Sequence, residues 1–342
     1  MGEKYFVCAC FYAKNIFLKQ IKMHVEYRNK SQFLTAYRKI LEENGYHDES
    51  ETEKLILEIE DEVARRKRLG LYSLERQRVI KQSYTPIHPE IYTLKESFLS
   101  PKFLDLVQYC KDTDATFEGV FDYMQETEIS RGYMIPVFTE EFCRMFLEEV
   151  QHFEQSDLPK GRPNTMNKYG VLLDELGFDP FFSTLREQYL VPVTRLLYPD
   201  QGGGELDSHK VFVVQYKVGE DIDLDCHYDN AEVTLNIALS PKDSYAGGNL
   251  YFGAMRTEYD AVDHWKEIEH KPTFGFLHRG QHMHGASPIT AGERFNLILW
   301  MRASSVRNKK CPMCDNIPDL QEAIGFGDGF TKPEIVDICS VI

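Results

Sequence analysis

The run Cys226-His227-Tyr228-Asp229-Asn230-Ala231-Glu232-Val233-Thr234-Leu235-Asn236-Ile237-Ala238-Leu239 joins a short polar cluster to an unbroken strand-like stretch. His227 and Asp229 alternate around Tyr228, so extended backbone points both side chains to one face, one offering imidazole nitrogen and the other carboxylate oxygen. Such a pair supplies two of the three ligands of a 2-His-1-carboxylate triad, which leaves positions open on the metal and suits non-haem Fe(II) oxygen chemistry. In the strand that follows, Thr234, Asn236 and Ala238 share one side, and Val233, Leu235, Ile237 and Leu239 share the other. A small, polar inner face suits a cavity wall, and the apolar face suits a core.

The second histidine must come from elsewhere. The run Leu277-His278-Arg279-Gly280-Gln281-His282-Met283-His284-Gly285-Ala286-Ser287-Pro288 offers His278, His282 and His284. His282 and His284 share strand parity, so alternation does not separate them. His284 is favoured because it stands before a Gly-Ala-Ser-Pro turn and ten residues ahead of Arg294. Arg294 opens an apolar, period-2 strand, and hairpin geometry would bring the two strand starts together. A guanidinium fork there could clamp the far carboxylate of a bidentate co-substrate.

These features resemble the Fe(II)- and 2-oxoglutarate-dependent dioxygenases, and within them the catalytic domains of the procollagen lysyl and prolyl hydroxylases. The resemblance covers Phe212-Val213-Val214-Gln215-Tyr216, the His227/Asp229 pair with its strand, the Gly247-Gly248-Asn249-Leu250-Tyr251-Phe252 turn and strand, and His284 followed by Arg294. It implies Fe(II) held by His227, Asp229 and His284, with 2-oxoglutarate bound by Arg294 and further contacts from Tyr216 and Asn236. It also implies O2 as oxidant, L-ascorbate keeping the iron ferrous, and hydroxylation of a C–H bond with release of succinate and CO2. A protein lysine side chain is the leading substrate, and a small molecule is the other class. The implied fold is α+β, a double-stranded β-helix (jelly-roll) of two antiparallel sheets with helices packed outside. A competing reading is a catalytically vestigial jelly-roll adaptor that binds a protein partner, against which the intact set of four residues counts.

The 342 residues carry a formal net charge of −15, with 42% apolar and 13% aromatic residues. That is enough for a well-formed core, and the charge excludes a broad electrostatic grip on nucleic acid or anionic membrane. No apolar run approaches membrane-spanning length, and the first residues make too short an apolar segment for a signal peptide. An intracellular protein, cytoplasmic or nuclear, is expected. Gly2 fails as a myristoylation site because Phe6 stands where Ser or Thr is needed. Cys339-Ser340-Val341-Ile342 fits a prenylation box only formally. The eight cysteines are scattered, which predicts reduced thiols. Cys311-Pro-Met-Cys314 is either half a zinc site or a plain thiol pair.

The chain divides into a mostly helical region over 1–132, a dioxygenase jelly-roll domain over 133–305 with its strand core at 209–303, and an extension over 306–342. Residues 5–12 and 21–25 read as short strands. Helices are expected from an N-cap at Ser31 to Gly45, from 49 or 50 to the basic tetrad 65–68 and Gly70, around 98–109, over 139–150, and over 178–197. The tetrad reads as a solvated helix end.

Overall fold

The structure, a computed structural model, describes residues 4–258 and 265–332. Its strands are β1 (Tyr5–Cys8), β2 (Ile16–Leu18), β3 (Met23–Val25), β4 (Gln125–Glu126), β5 (Tyr133–Pro136), β6 (Gly170–Leu172), β7 (Ser208–Lys217), β8 (Leu224–His227) and β9 (Val233–Ala238). They continue with β10 (Tyr245–Gly247), β11 (Leu250–Met255), β12 (Lys266–Ile268), β13 (Phe274–Arg279), β14 (His282–Ala286), β15 (Ile289–Arg302) and β16 (Leu320–Ala323). A major sheet runs β4-β5-β13-β9-β15-β7-β6, with β10 also on β15, and a minor sheet runs β12-β11-β14-β8. The pairings are antiparallel. Together they form the expected double-stranded β-helix.

Strand parity decides which face goes where. Val233, Leu235 and Ile237 join the core on the outer face of the major sheet, beneath helices, together with Val211, Val213, Leu297 and Leu299. Phe212, Val214 and Tyr216, on the opposite parity, pack between the two sheets against Phe252 and Ala286 of the minor one. The longer helices and the first helical turn are α1 (Cys10–Ala13), α2 (Lys30–Glu43), α3 (Glu49–Ser83), α4 (Pro101–Lys111) and α5 (Glu140–Gln155). Thr139 caps α5 by accepting the Phe142 N–H at 3.2 Å, and the acidic first turn suits the helix dipole. Its buried Phe142, Phe146, Val150 and Phe153 lie in the core under the major sheet. Each large apolar side chain so buried contributes about 1.5–3 kcal/mol. That core is continuous from Ile80 to Ala303.

Several local expectations need correction. The cap of α2 is Asn29, not Ser31: its side chain accepts the Gln32 N–H at 2.9 Å, and Gln32 accepts the Arg28 N–H in return. The strand expected over 5–12 stops at Cys8, and residues 10–13 turn into α1. The helix expected to stop at the basic tetrad runs 35 residues to Ser83. Arg66 is no solvated helix end, being 4% exposed. Its guanidinium donates to the carbonyls of Phe11, Lys14 and Asn15. Gly70 is tolerated in mid-helix because a Cβ there would lie 1.6 Å from the Ile324 carbonyl oxygen, where the C-terminal segment crosses the helix. The helix ends where Pro86 restricts the backbone before it. Over 178–197 the helical stretch contains a π-helical turn, Leu185–Leu190, just before Pro192, which has no N–H to offer the preceding turn.

Among the described residues no helix is long and apolar enough to cross a membrane. The readings of Gly2 and of Cys339-Ser340-Val341-Ile342 lie outside the described residues.

Candidate active site

His227 closes β8, and cross-strand pairing puts His284 of β14 directly opposite it. Their ring centres are 4.3 Å apart. The chain leaves β8 in a loop pinned by the Asp229 N–H, which donates to the Gly280 carbonyl at 2.7 Å. The Asp229 carboxylate therefore sits between the two rings, with Oδ1 3.6 Å from His227 Nε2 and Oδ2 3.6 Å from His284 Nε2. Thr234, on the cavity face of β9, donates its hydroxyl to Asp229 Oδ2 at 2.7 Å.

The far side of each imidazole fixes its tautomer. His227 Nδ1 is 2.9 Å from the Asp225 carbonyl and His284 Nδ1 is 2.9 Å from the His282 carbonyl. A carbonyl only accepts, so each Nδ1 carries a hydrogen and each Nε2 is turned toward Asp229. Burial pushes His284 well below the usual histidine value, against the pull of Asp229, so it is neutral. Burial opposes ionisation of Asp229, yet His284 and His227 hold its carboxyl well below the usual range. Phe252, opposite His284 on β11, stacks on that ring at 5.3 Å and keeps it from turning. Two imidazoles and one carboxylate, each with a donor atom turned to the same point, match what a divalent iron takes.

The rival histidines go elsewhere. His282 is on the same strand, but its Nε2 lies 2.9 Å from the Gly253 carbonyl. His278 comes closer, with Nε2 4.0 Å from Asp229 Oδ2 and no hydrogen-bond partner. Burial pushes His278 down to about 4.

Arg294 lies opposite Tyr216 in the β15–β7 ladder. The expected hairpin is absent: Ser287 and Pro288 carry the chain from β14 in the minor sheet to β15 in the major one, and Arg294 shares the inner face of that sheet with Tyr216. It is 1% exposed and, among the described residues, forms no ion pair with a carboxylate. One terminal nitrogen donates to the Gly248 carbonyl, while Nε and Nη2 have no partner. Its charge centre lies 5.7 Å from the Tyr216 ring and 5.8 Å from the Tyr245 ring. Burial pushes the guanidinium pKa down, and Tyr216 and Tyr245 pull it back. An unneutralised buried cation with idle donors fits a carboxylate ligand. Gly248 sits against it at φ +73°, where a Cβ would crowd the guanidinium at 3.4 Å.

Tyr216 is buried, and its phenol is pushed up to about 12 by burial, with Arg294 opposing. Asn236 accepts from Asn296 Nδ2 at 2.6 Å, and that same nitrogen is 3.2 Å from His270 Nδ1. Asn236 is thus satisfied by a side chain, whereas Asn296 Oδ1 is left unpartnered. Sequence reading passed over Tyr245, Asn296 and His270. Asn296 had a detectable signal, a polar residue amid the apolar run of β15; the other two had none. A cavity of about 1010 Å³ reaches His227 and Asn230 and is walled elsewhere by Lys210, Trp300 and Asp174.

Residues 80–203 match the OGFOD2-like domain. Over 340 residues the chain is 50% identical to 2-oxoglutarate and iron-dependent oxygenase domain-containing protein 2 of Xenopus tropicalis, covering 98% of this chain and 97% of that protein. It is 28% identical over 181 residues to procollagen-lysine,2-oxoglutarate 5-dioxygenase 1 of Homo sapiens, covering 50% of this chain and 24% of that protein. Among solved structures it is similar to a Trichoplax adhaerens prolyl hydroxylase in complex with a hypoxia inducible factor peptide fragment. That likeness has a TM-score of 0.42 at 13% identity, over 62% of this chain and 97% of the other.

Proposed function

Since the chain belongs to the family of 2-oxoglutarate and iron-dependent oxygenase domain-containing proteins, we propose that His227, Asp229 and His284 hold its Fe(II) and that Arg294 anchors 2-oxoglutarate. The enzyme is a 2-oxoglutarate-dependent oxygenase, so its chemistry draws on Fe(II), 2-oxoglutarate and O2. When bound, iron and co-substrate supply the oxidation itself, which sends one oxygen atom into the substrate and turns 2-oxoglutarate into succinate and CO2. The catalytic unit spans residues 133–305, and L-ascorbate keeps the metal ferrous between turnovers.

The protein's own residues do the rest. The Asp225 and His282 carbonyls hold the two imidazoles with Nε2 forward. Thr234 fixes the carboxylate so that it presents its charge to the metal and not to solvent. Arg294 offers idle donors to the far carboxylate of the co-substrate, with Tyr216 beside it. Asn236 acts one step back, accepting from Asn296 Nδ2 and so orienting that amide beside His270. Phe252 and Phe276 pack at 4.7 Å beside His284 and exclude water from that side.

The substrate proposed is a protein lysine side chain, hydroxylated at a C–H bond. The match to a procollagen-lysine dioxygenase supports it. So does Asp174 in the wall of the cavity that reaches His227: its Oδ1 is buried without a partner, and burial, with Glu175 adding to it, pushes the carboxyl up to about 6. An incoming ammonium would satisfy that oxygen and draw the carboxyl back down, adding to the pull of Lys210.

The observation that carries the reading is the convergence of His227, Asp229 and His284 on one point, in a fold that also buries Arg294 with two donors idle. The test is anaerobic addition of Fe(II) and then 2-oxoglutarate. A visible charge-transfer band should form with the wild type and be lost in His227→Ala and Asp229→Ala, together with succinate release. Undiminished succinate release from both variants would overturn the ligand assignment. For the substrate, oxygen additions on lysine should vanish from cells when the wild type is replaced by Asp229→Ala. Additions found only on other residues would end the lysine assignment.

A further inference from the structure

A second cluster of metal-ligating side chains lies away from the iron site. Cys8 and Cys10 come from the end of β1 and the start of α1, and Cys311 and Cys314 from the turn after β15. Their four sulfurs lie within 4.8 Å of one another, with Cys10–Cys311 at 3.7 Å and Cys8–Cys314 at 4.0 Å. A disulfide holds its sulfurs at about 2.05 Å, so these are four separate thiols. A tetrahedral zinc thiolate with bonds of about 2.3 Å sets its sulfurs about 3.8 Å apart. The observed spacing is that of four ligands about to share one ion.

Packing makes the same point. The small cluster that fastens residues 311–330 to the start of the chain contains only Phe6 and Phe330 as large buried apolar groups, and three of its five buried members are cysteines. The sheet in this region is the two-stranded β1–β16 pair. Two strands alone are marginal in water, and so small a core usually needs a cross-link or a metal. The backbone is already shaped for one: the Asp315 N–H donates to the Cys311 carbonyl at 2.9 Å, the Cys311 N–H donates to the Asn316 carbonyl at 2.8 Å, and Asp315 adopts φ 62°.

We propose that Cys8, Cys10, Cys311 and Cys314 form a structural zinc site, with all four ligands thiolates, that ties the C-terminal segment to the N-terminal strand. Binding as thiolates displaces the thiol protons to solvent and changes no oxidation state. With all four positions filled by protein, the ion has no place for substrate and serves structure. The site also reaches the iron centre mechanically. The carbonyl of Met313, between the paired cysteines, accepts from Asn15 Nδ2 at 3.1 Å. Asn15 Oδ1 in turn accepts from the hydroxyl of Tyr228, the residue between His227 and Asp229.

The experiment is metal analysis of the full chain together with cobalt substitution. The wild type, purified without added metal, should hold one zinc per chain that survives a carboxylate chelator and leaves when a thiol reagent is added. Cobalt in its place should give an intense near-ultraviolet sulfur-to-metal band and the visible bands of a tetrahedral thiolate. A histidine–carboxylate iron site loaded with cobalt gives no sulfur band, so this result stands whether or not the iron ligands are assigned correctly. Cys314→Ser, at the solvent edge, should lose the zinc and speed hydrogen exchange across 311–331, while Cys110→Ser should keep both unchanged. Should a cysteine variant fail to fold, the cobalt spectrum of the wild type decides alone. Absence of the sulfur band, or peptides showing Cys8–Cys314 and Cys10–Cys311 disulfides in protein purified under reducing conditions, would overturn the proposal.

Discussion

Replacing Arg294 by methionine should make the protein more stable and less competent at once. The guanidinium is 1% exposed, has no carboxylate partner among the described residues, and leaves Nε and Nη2 without acceptors. Removing an uncompensated buried charge recovers about 1–4 kcal/mol when an apolar side chain of similar length fills the space. Against this stand the Gly248 carbonyl, which loses its donor at about 1 kcal/mol, and two aromatic contacts worth together about 1 kcal/mol. The net expectation without ligand is a gain of about 1 kcal/mol, read from urea unfolding of wild type and Arg294→Met. With 2-oxoglutarate the order reverses. Losing one side of a buried charge pair costs about 2–5 kcal/mol of binding, or about 30-fold to several thousand-fold in Kd. At one hundred times the wild-type Kd, the co-substrate should stabilise the wild type by about 2.7 kcal/mol and the variant by less than about 1 kcal/mol. If the variant unfolds more easily without ligand yet gains as much from 2-oxoglutarate as the wild type, Arg294 is a packing residue and the co-substrate assignment fails.

Gly70→Ala would normally favour a helix by about 1 kcal/mol, but here its methyl would meet the Ile324 carbonyl. We expect a net loss of about 1–3 kcal/mol and faster proteolysis after residue 310, and a more stable variant would contradict the crossing. Arg307→Ala strips Glu232 of a buried bidentate partner at 2.8 and 3.1 Å and should cost about 3–5 kcal/mol in chemical unfolding, part of it recovered by adding Glu232→Gln. Glu154 is pushed up to about 7 by burial, with Glu220 and Glu293 adding to it. The stability tied to its protonated form is complete below the ordinary carboxyl range and disappears as pH rises through about 7. Glu154→Gln should therefore match the wild type in melting temperature at pH 4.5 and exceed it at pH 8; a gap independent of pH would remove Glu154 from the account.

The sequence was most legible where a period-2 pattern carries the information. The parity of Val233 to Leu239 sorts core face from cavity face, whereas His227 and Asp229 come together through a loop pinned at Gly280 and not through the continuing strand that their alternation suggests. His284 could be separated from His282 only by its offset to Arg294, since both lie on one strand at one parity; the structure separates them through the Gly253 carbonyl that occupies His282. What could not be read depends on distant partners. Arg66 looks like part of a solvated basic run until three carbonyls from residues 11–15 surround it. Gly70 looks like a helix stop because its reason, Ile324, is remote in sequence. Cys311 and Cys314 look like half a motif because the other half begins at Cys8.

The pairing of β1 with β16 sets a timetable. Cys8 and Cys314 are 306 residues apart, so at typical synthesis rates the first strand waits about 15–60 s for its neighbour to leave the ribosome. For that interval a nascent chain displays an unpaired edge and two bare thiols, a liability that lasts longer than the wait of β5 for β13 within the β-helix.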